Sequence, residues 1–105
     1  MYQLILCTCP DQKSAETIAK QLVSQRLVAC VNIMPSLTSI YQWQGEIETA
    51  QEHLLIIKSQ QKQFTAIETA IKAIHPYQVP EIIAVAIEQG SAEYLNWIDS
   101  CLRTD

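Results

Sequence analysis

The stretch His75-Pro76-Tyr77-Gln78-Val79-Pro80-Glu81 sets an imidazole, a phenol and a carboxylate along one short connector. Pro76 and Pro80 fix their own φ and push His75 and Val79 toward extended backbone, so the segment stops a helix and leads into a strand. Cys7 and Cys9 stand two positions apart, which puts both thiols on one face of a strand. Thiolate and imidazole together suit copper or zinc. There is no Cys-x-x-Cys pair and no histidine pair at ligand spacing, and binding demands deprotonated sulfur and neutral imidazole. For His75 a metal role therefore stands beside a structural one, as a capping or hydrogen-bonded residue. Acyl transfer by Cys7 or Cys9 with His75 lacks an identifiable oxyanion donor and a third residue to orient the base. With two glycines in the chain, no phosphate-binding loop is present, and no serine sits in a nucleophile elbow.

Other chemistry-bearing residues read as structural. Glu46, Glu48 and Glu52 form an acidic group expected on a solvated strand face, with a cation-attracting surface as the sharper alternative. His53 adjoins the apolar run Leu54-Leu55-Ile56-Ile57 and is expected to be a satisfied structural residue. Cys101 is expected to pack within a helix. Tyr41 and Trp43 near a hairpin tip, and Trp97 in the last helix, read as contact residues that a partner would cover.

These residues need a scaffold, and the composition bounds it. A chain of 105 residues, 49% hydrophobic with a formal charge of -4, fits one compact domain over 1–105. The pI near 5.0 and the scatter of the seven basic residues argue against nucleic acid as a partner. The run Ile82 to Ile87 is too short to span a bilayer, and the N-terminus lacks the charged, apolar and cleavage regions of a secretory leader, so a cytoplasmic protein is expected. The spacing of the four cysteines matches no dense secreted framework, which favours reduced thiols.

Tyr2 to Cys9 reads as a strand ended by Pro10, and Asp11 as the cap of a helix whose Ala15, Ile18, Ala19, Leu22 and Val23 recur at helical spacing. That helix ends near Gln25 or Arg26. Leu27 to Trp43 is a long strand broken by Pro35-Ser36, Gln44-Gly45 offers a turn, and Glu46 to Ser59 is the returning arm. Phe64, Ile67, Ile71 and Ile74 mark one face of a second helix with Glu68 and Lys72 paired outside. Glu81 to Glu88 is a strand, and Gly90-Ser91 caps a closing helix. The order βαββαβ with a terminal helix predicts an α+β, ferredoxin-like domain with an antiparallel four-stranded sheet whose first strand lies between the third and fourth. Cys7, Cys9 and His75 then share one sheet end, with Cys30 and Lys58 toward the other. Two main helices cover one face of such a sheet, and strands apolar on both faces predict a homo-oligomer that covers the second.

Three blocks, Leu27-Val28-Ala29-Cys30-Val31-Asn32-Ile33, Thr38-Ser39-Ile40-Tyr41-Gln42-Trp43-Gln44-Gly45-Glu46-Ile47 and His75-Pro76-Tyr77-Gln78-Val79-Pro80-Glu81-Ile82, resemble in order and spacing the CutA family of divalent-cation tolerance proteins. The similarity extends to Cys7-Thr8-Cys9-Pro10-Asp11 and Tyr94-Leu95-Asn96-Trp97. The resemblance implies a compact homotrimer similar in architecture to PII signalling proteins, no enzymatic activity, and weak binding of copper or another divalent cation at Cys7, Glu52 and His75. A rival reading is a PII-like signalling or scaffold trimer that holds a small metabolite or a protein in inter-subunit clefts, with Lys58 and Glu81 as candidate polar groups. Three departures bear on the inherited site: Gln78 replaces a common glutamate, Ser36 a common glycine, and Cys9 adds a thiol.

Overall fold

The computed structural model describes residues 1–104. The elements are β1 (Tyr2–Cys9), α1 (Gln12–Ser24), β2 (Cys30–Trp43), β3 (Glu46–Gln60), a 3-10 turn (Gln61–Gln63), α2 (Phe64–Ile74), β4 (Ile83–Ala86) and α3 (Ala92–Cys101). The sheet order is β2-β3-β1-β4 with every neighbouring pair antiparallel, so β1 lies between β3 and β4 as the split βαβ order predicts.

Local chemistry sets the boundaries. Asp11 accepts from the Ser14 amide at 2.8 Å and caps α1, and its carboxyl is held below the usual aspartate range by the Ser14 hydrogen bonds. At the other end, the amides of Arg26 and Leu27 return to the carbonyls of Val23 and Leu22, with Arg26 in the left-handed region at φ 59°. Its guanidinium then donates to the carbonyls of Ser100 and Cys101 at the end of α3. Gln44 and Gly45, both at positive φ, make the two-residue turn that joins β2 to β3. Pro35 and Ser36 sit in a register shift between Met34 and Leu37, on an edge strand where a missing amide is tolerated.

One face of the sheet meets α1 and α2. Ile5, Cys7 and Cys9 of β1 and Leu55 and Ile57 of β3 are buried against Ala15, Ile18 and Leu22 of α1 and Ile67 and Ile71 of α2. Each such Ile or Leu removed from water contributes roughly 1.5–3 kcal/mol before entropy is charged against it. The other face carries Leu4, Leu6 and Thr8 of β1, paired with Lys58, Ile56 and Leu54 of β3, and Ile83 and Val85 of β4. Its Tyr2–Cys30 end is covered by Ile98 and Leu102 around α3. Ile83 and Val85 remain about half exposed, at 51% and 49%.

Two boundaries differ from expectation. The last strand is confined to Ile83–Ala86 instead of Glu81–Glu88, because it pairs only with Gln3–Leu6 of β1 and has no strand on its outer edge. The first hairpin arm starts at Cys30: Leu27 and Val28 are buried in the core and belong to the turn after α1.

Candidate functional site

Helix α2 ends where His75 turns extended (φ -74°, ψ 136°), its amide still bonded to the Ile71 carbonyl. Pro76 enforces that break. The backbone turn delivers the His75 ring to the end of β1. Its Nε2 lies 2.8 Å from the Thr8 carbonyl oxygen, and its Nδ1 accepts from the Tyr77 amide at 3.0 Å. Because a carbonyl can only accept and an amide N–H can only donate, Nε2 is the donor and Nδ1 the acceptor in this arrangement. The residue is only 8% exposed.

The ligand atoms of Cys7, Cys9 and His75 all lie within 4.8 Å of one another. Cys9 Sγ is 3.8 Å from His75 Nε2, and Cys7 Sγ makes a weak 3.9 Å contact to the Thr8 carbonyl. Both sulfurs are fully buried, and no disulfide joins them. A hydrogen bond with Cys9, reinforced by burial, holds the Cys7 thiol far above its usual range; the same bond draws Cys9 down against its own burial. Cys7 therefore keeps its proton and shares it with the Cys9 sulfur.

Glu52 stands elsewhere. Its neighbour His53 pairs directly with Cys9 across β1 and β3, so His53 shares the core face with the thiols and Glu52 points to the opposite face. There Glu52, 6% exposed, accepts from the Tyr77 hydroxyl at 2.5 Å. The expectation of a solvated Glu46, Glu48 and Glu52 face holds for the first two and is corrected for Glu52, which the connector covers. The expectation for His53 is corrected as well: its Nδ1 is buried and makes no hydrogen bond. Burial and the Glu52 bond push the Tyr77 hydroxyl above its usual range.

Of the three residues expected as metal contacts, the fold thus joins Cys7 to His75, with Cys9 as the third donor. Two sulfurs and one imidazole nitrogen are the right atoms for a soft cation. Tetrahedral bonds of about 2.3 Å would set two sulfurs roughly 3.8 Å apart, which the 4.8 Å spread of the three donors allows, and His53 Nδ1 is an orphaned polar atom on the same face. Protons oppose loading, since Cys7 is held as a thiol and Nε2 already serves Thr8. By the chemistry of its donors the set fits a soft ion, with protons competing for the same atoms.

On the other side of β1 and β3 a cleft of about 650 Å³ lies between the hairpin and the connector. Tyr41, Trp43, Glu52, Tyr77, Val79 and Glu81 contribute to its wall. Lys58 is not there: its Nζ lies 3.8 Å from Cys30 Sγ at the far end of the sheet. The Tyr77–Glu52 bond and the clamp on the Thr8 carbonyl were missed by the sequence reading, since a pairing across 25 residues and a backbone acceptor leave no local signal.

Comparison with known proteins agrees with this architecture. The family described as CutA1 divalent ion tolerance protein matches residues 3–101. A "Divalent-cation tolerance protein CutA" of Thermus thermophilus is 51% identical over 98 residues, 93% of this chain and 95% of that protein. A solved structure of the divalent cation tolerance protein of Thermus thermophilus superposes with a TM-score of 0.96 at 48% identity, covering 98% of this chain and 100% of that one. A structure described as the periplasmic divalent cation tolerance protein CutA of Archaeoglobus fulgidus gives 0.96 at 41% identity, covering 98% of this chain and 100% of that one. With nearly the whole chain matched in sequence and in backbone, this protein belongs to the CutA family of divalent-cation tolerance proteins.

Proposed function

We propose that the chain acts as a non-enzymatic cation-tolerance protein, a homotrimer that binds copper or a similar ion weakly through Cys7 and His75, with Cys9 as the third ligand. The observation that carries the reading is the convergence of two sulfurs and an imidazole within 4.8 Å at one sheet end. Glu52, placed on the opposite face, contributes negative charge near the site instead of a ligand atom.

The geometry speaks against catalysis by the same residues. A Cys–His nucleophile needs a histidine nitrogen free to accept the thiol proton. Nε2, the nitrogen near Cys9, already carries a hydrogen directed at Thr8. Support for assembly comes from the second sheet face, where Leu4, Leu6, Leu54 and Ile56 lie beside half-exposed Ile83 and Val85. Further copies of the chain would remove that surface from water. No helix among the described residues is long and apolar enough to cross a membrane. Four free thiols suit the reducing cytoplasm, where we place the protein, although the Archaeoglobus relative is called periplasmic.

Anaerobic equilibrium dialysis against cuprous and zinc ions, with metal counted by mass spectrometry, tests the site. Uptake is expected to fall in Cys7→Ser, Cys9→Ser and His75→Ala and to persist in Glu52→Gln. Unchanged uptake in the first three variants would remove the assignment.

A further inference from the structure

We infer that His53 is a fourth ligand of the thiol and imidazole cluster, which makes it a closed tetrahedral site of two sulfurs and two nitrogens for a divalent ion of the zinc class. The inference rests on the metal reading proposed above and adds to it a residue, a geometry and a choice of ion.

Register is the first argument. His53 pairs directly with Cys9 across β3 and β1, and both side chains lie on the face that carries Cys7. Directly opposed residues of an antiparallel pair hold their Cβ atoms about 4.5–5.5 Å apart. A tetrahedral ion with bonds of about 2.3 Å to sulfur and about 2.1 Å to nitrogen sets those two atoms about 3.6 Å apart, a span that an opposed cysteine and histidine bridge from such Cβ positions. This face packs against α1 and α2 and is not the one assigned to contact between copies of the chain.

The second argument is an unused nitrogen. His53 Nδ1 is buried and makes no hydrogen bond among the described residues, whereas both ring nitrogens of His75 are engaged. A buried polar atom without a partner is costly, and a metal ion is a partner that a neutral imidazole takes readily. The donors that lie within 4.8 Å of one another are those of Cys7, Cys9 and His75, so His53 joins them by turning about its own χ1 and χ2. No bond to Nδ1 opposes that turn among the described residues.

The number of ligands decides the ion. Two sulfurs and one nitrogen satisfy cuprous ion, which accepts two or three soft donors, but they leave zinc with an open position for water. A second imidazole closes that position and gives the arrangement of structural zinc, with no place for a substrate.

The test uses the full chain in its native assembly, reduced and free of metal. It is titrated with cobalt as a spectroscopic stand-in for zinc, and then with zinc and cuprous ions against competing chelators. The parent is expected to show the strong visible bands of tetrahedral cobalt together with sulfur-to-cobalt charge transfer. In His53→Gln the bands should weaken and zinc affinity fall about a hundredfold, since even an outer partner of a ligand is worth about 10–100-fold, while cuprous affinity changes less than about threefold. His53→Cys should restore the tetrahedral bands with added charge-transfer intensity, a recovery that a folding defect at this position would not give. A parent that takes up neither cobalt nor zinc removes the metal reading and this inference with it. A parent with the weak bands of five- or six-coordinate cobalt overturns the inference without any variant. So does uptake that depends on Cys7 and His75 but keeps its affinity and spectrum in His53→Gln, a result that leaves the metal reading standing.

Discussion

The Tyr77 hydroxyl donates to Glu52 Oε2 across 2.5 Å and ties the middle of β3 to a connector 25 residues further along the chain. The bond does two jobs: it gives a buried carboxylate its one donor, and it holds the segment that begins with His75 against the sheet. Replacing Tyr77 by Phe is expected to lower stability by about 1–2 kcal/mol, at the low end for a charged acceptor because the phenol is partly exposed. Urea denaturation of Tyr77→Phe, Glu52→Gln and the double variant measures the coupling; additive losses would show that the bond contributes nothing. A pH arm follows from the raised Tyr77 hydroxyl. The folded state keeps the proton after the unfolded chain has lost it, so the stabilisation is complete below the ordinary tyrosine value of 10.0 and fades as pH climbs above it. Tyr77→Phe should show a shallower alkaline loss than the parent.

Ser36 occupies the left-handed region at φ 61°, inside the register shift that accommodates Pro35. A side chain there costs about 1–2 kcal/mol, and glycine avoids the clash while losing more entropy on folding. Ser36→Gly is accordingly expected to raise stability by about 0.5–1 kcal/mol, with no change in the strand pairing. Thermal denaturation checks the sign; a lower midpoint would mean that the serine side chain contributes a contact that outweighs the strain.

His75 links two backbones, accepting from Tyr77 and donating to Thr8, and these bonds exist without any metal. His75→Ala should therefore cost about 2–3 kcal/mol in rigorously chelated protein, from two lost hydrogen bonds and the space left in a buried site. Denaturation with and without chelator separates this from a metal contribution. If the chelated parent and variant were equally stable, the clamp would carry no energy and the ring would be held for ligation alone.

How far these sites were legible depends on the range of the interactions that make them. The Asp11 cap, the Gln44-Gly45 turn and the Pro35-Ser36 break are written in residues that act on their neighbours, and all three occur where the sequence places them. Alternation within β1 put Cys7 and Cys9 on one face, and the proline-stiffened connector brought His75 to their end of the sheet. Glu52 could not be read in this way. Its immediate neighbours in the acidic group are exposed, and its burial comes from Tyr77, a residue whose approach depends on the completed sheet and helix α2. The orphaned Nδ1 of His53 is equally non-local, since its surroundings are assembled from β1 and β3 together.

Val85 offers the sharpest test of assembly. It is 49% exposed on the face opposite α1 and α2, paired with Leu4 and next to Ile83. In an isolated chain a glutamate at this half-exposed edge position would be tolerated, with a stability change within about 0.5 kcal/mol. Within a trimer the same carboxylate would be buried against apolar side chains with no partner, and desolvation would oppose association by several kcal/mol. Val85→Glu is thus expected to dissociate the assembly while far-UV circular dichroism stays unchanged. Light scattering after size exclusion reads the mass, and repeating the denaturation over a hundredfold range of protein concentration should show a midpoint that moves for the parent and stays fixed for the variant. A parent that elutes as a monomer at micromolar concentration, or a Val85→Glu protein of unchanged mass, would show that this face is not where copies of the chain meet.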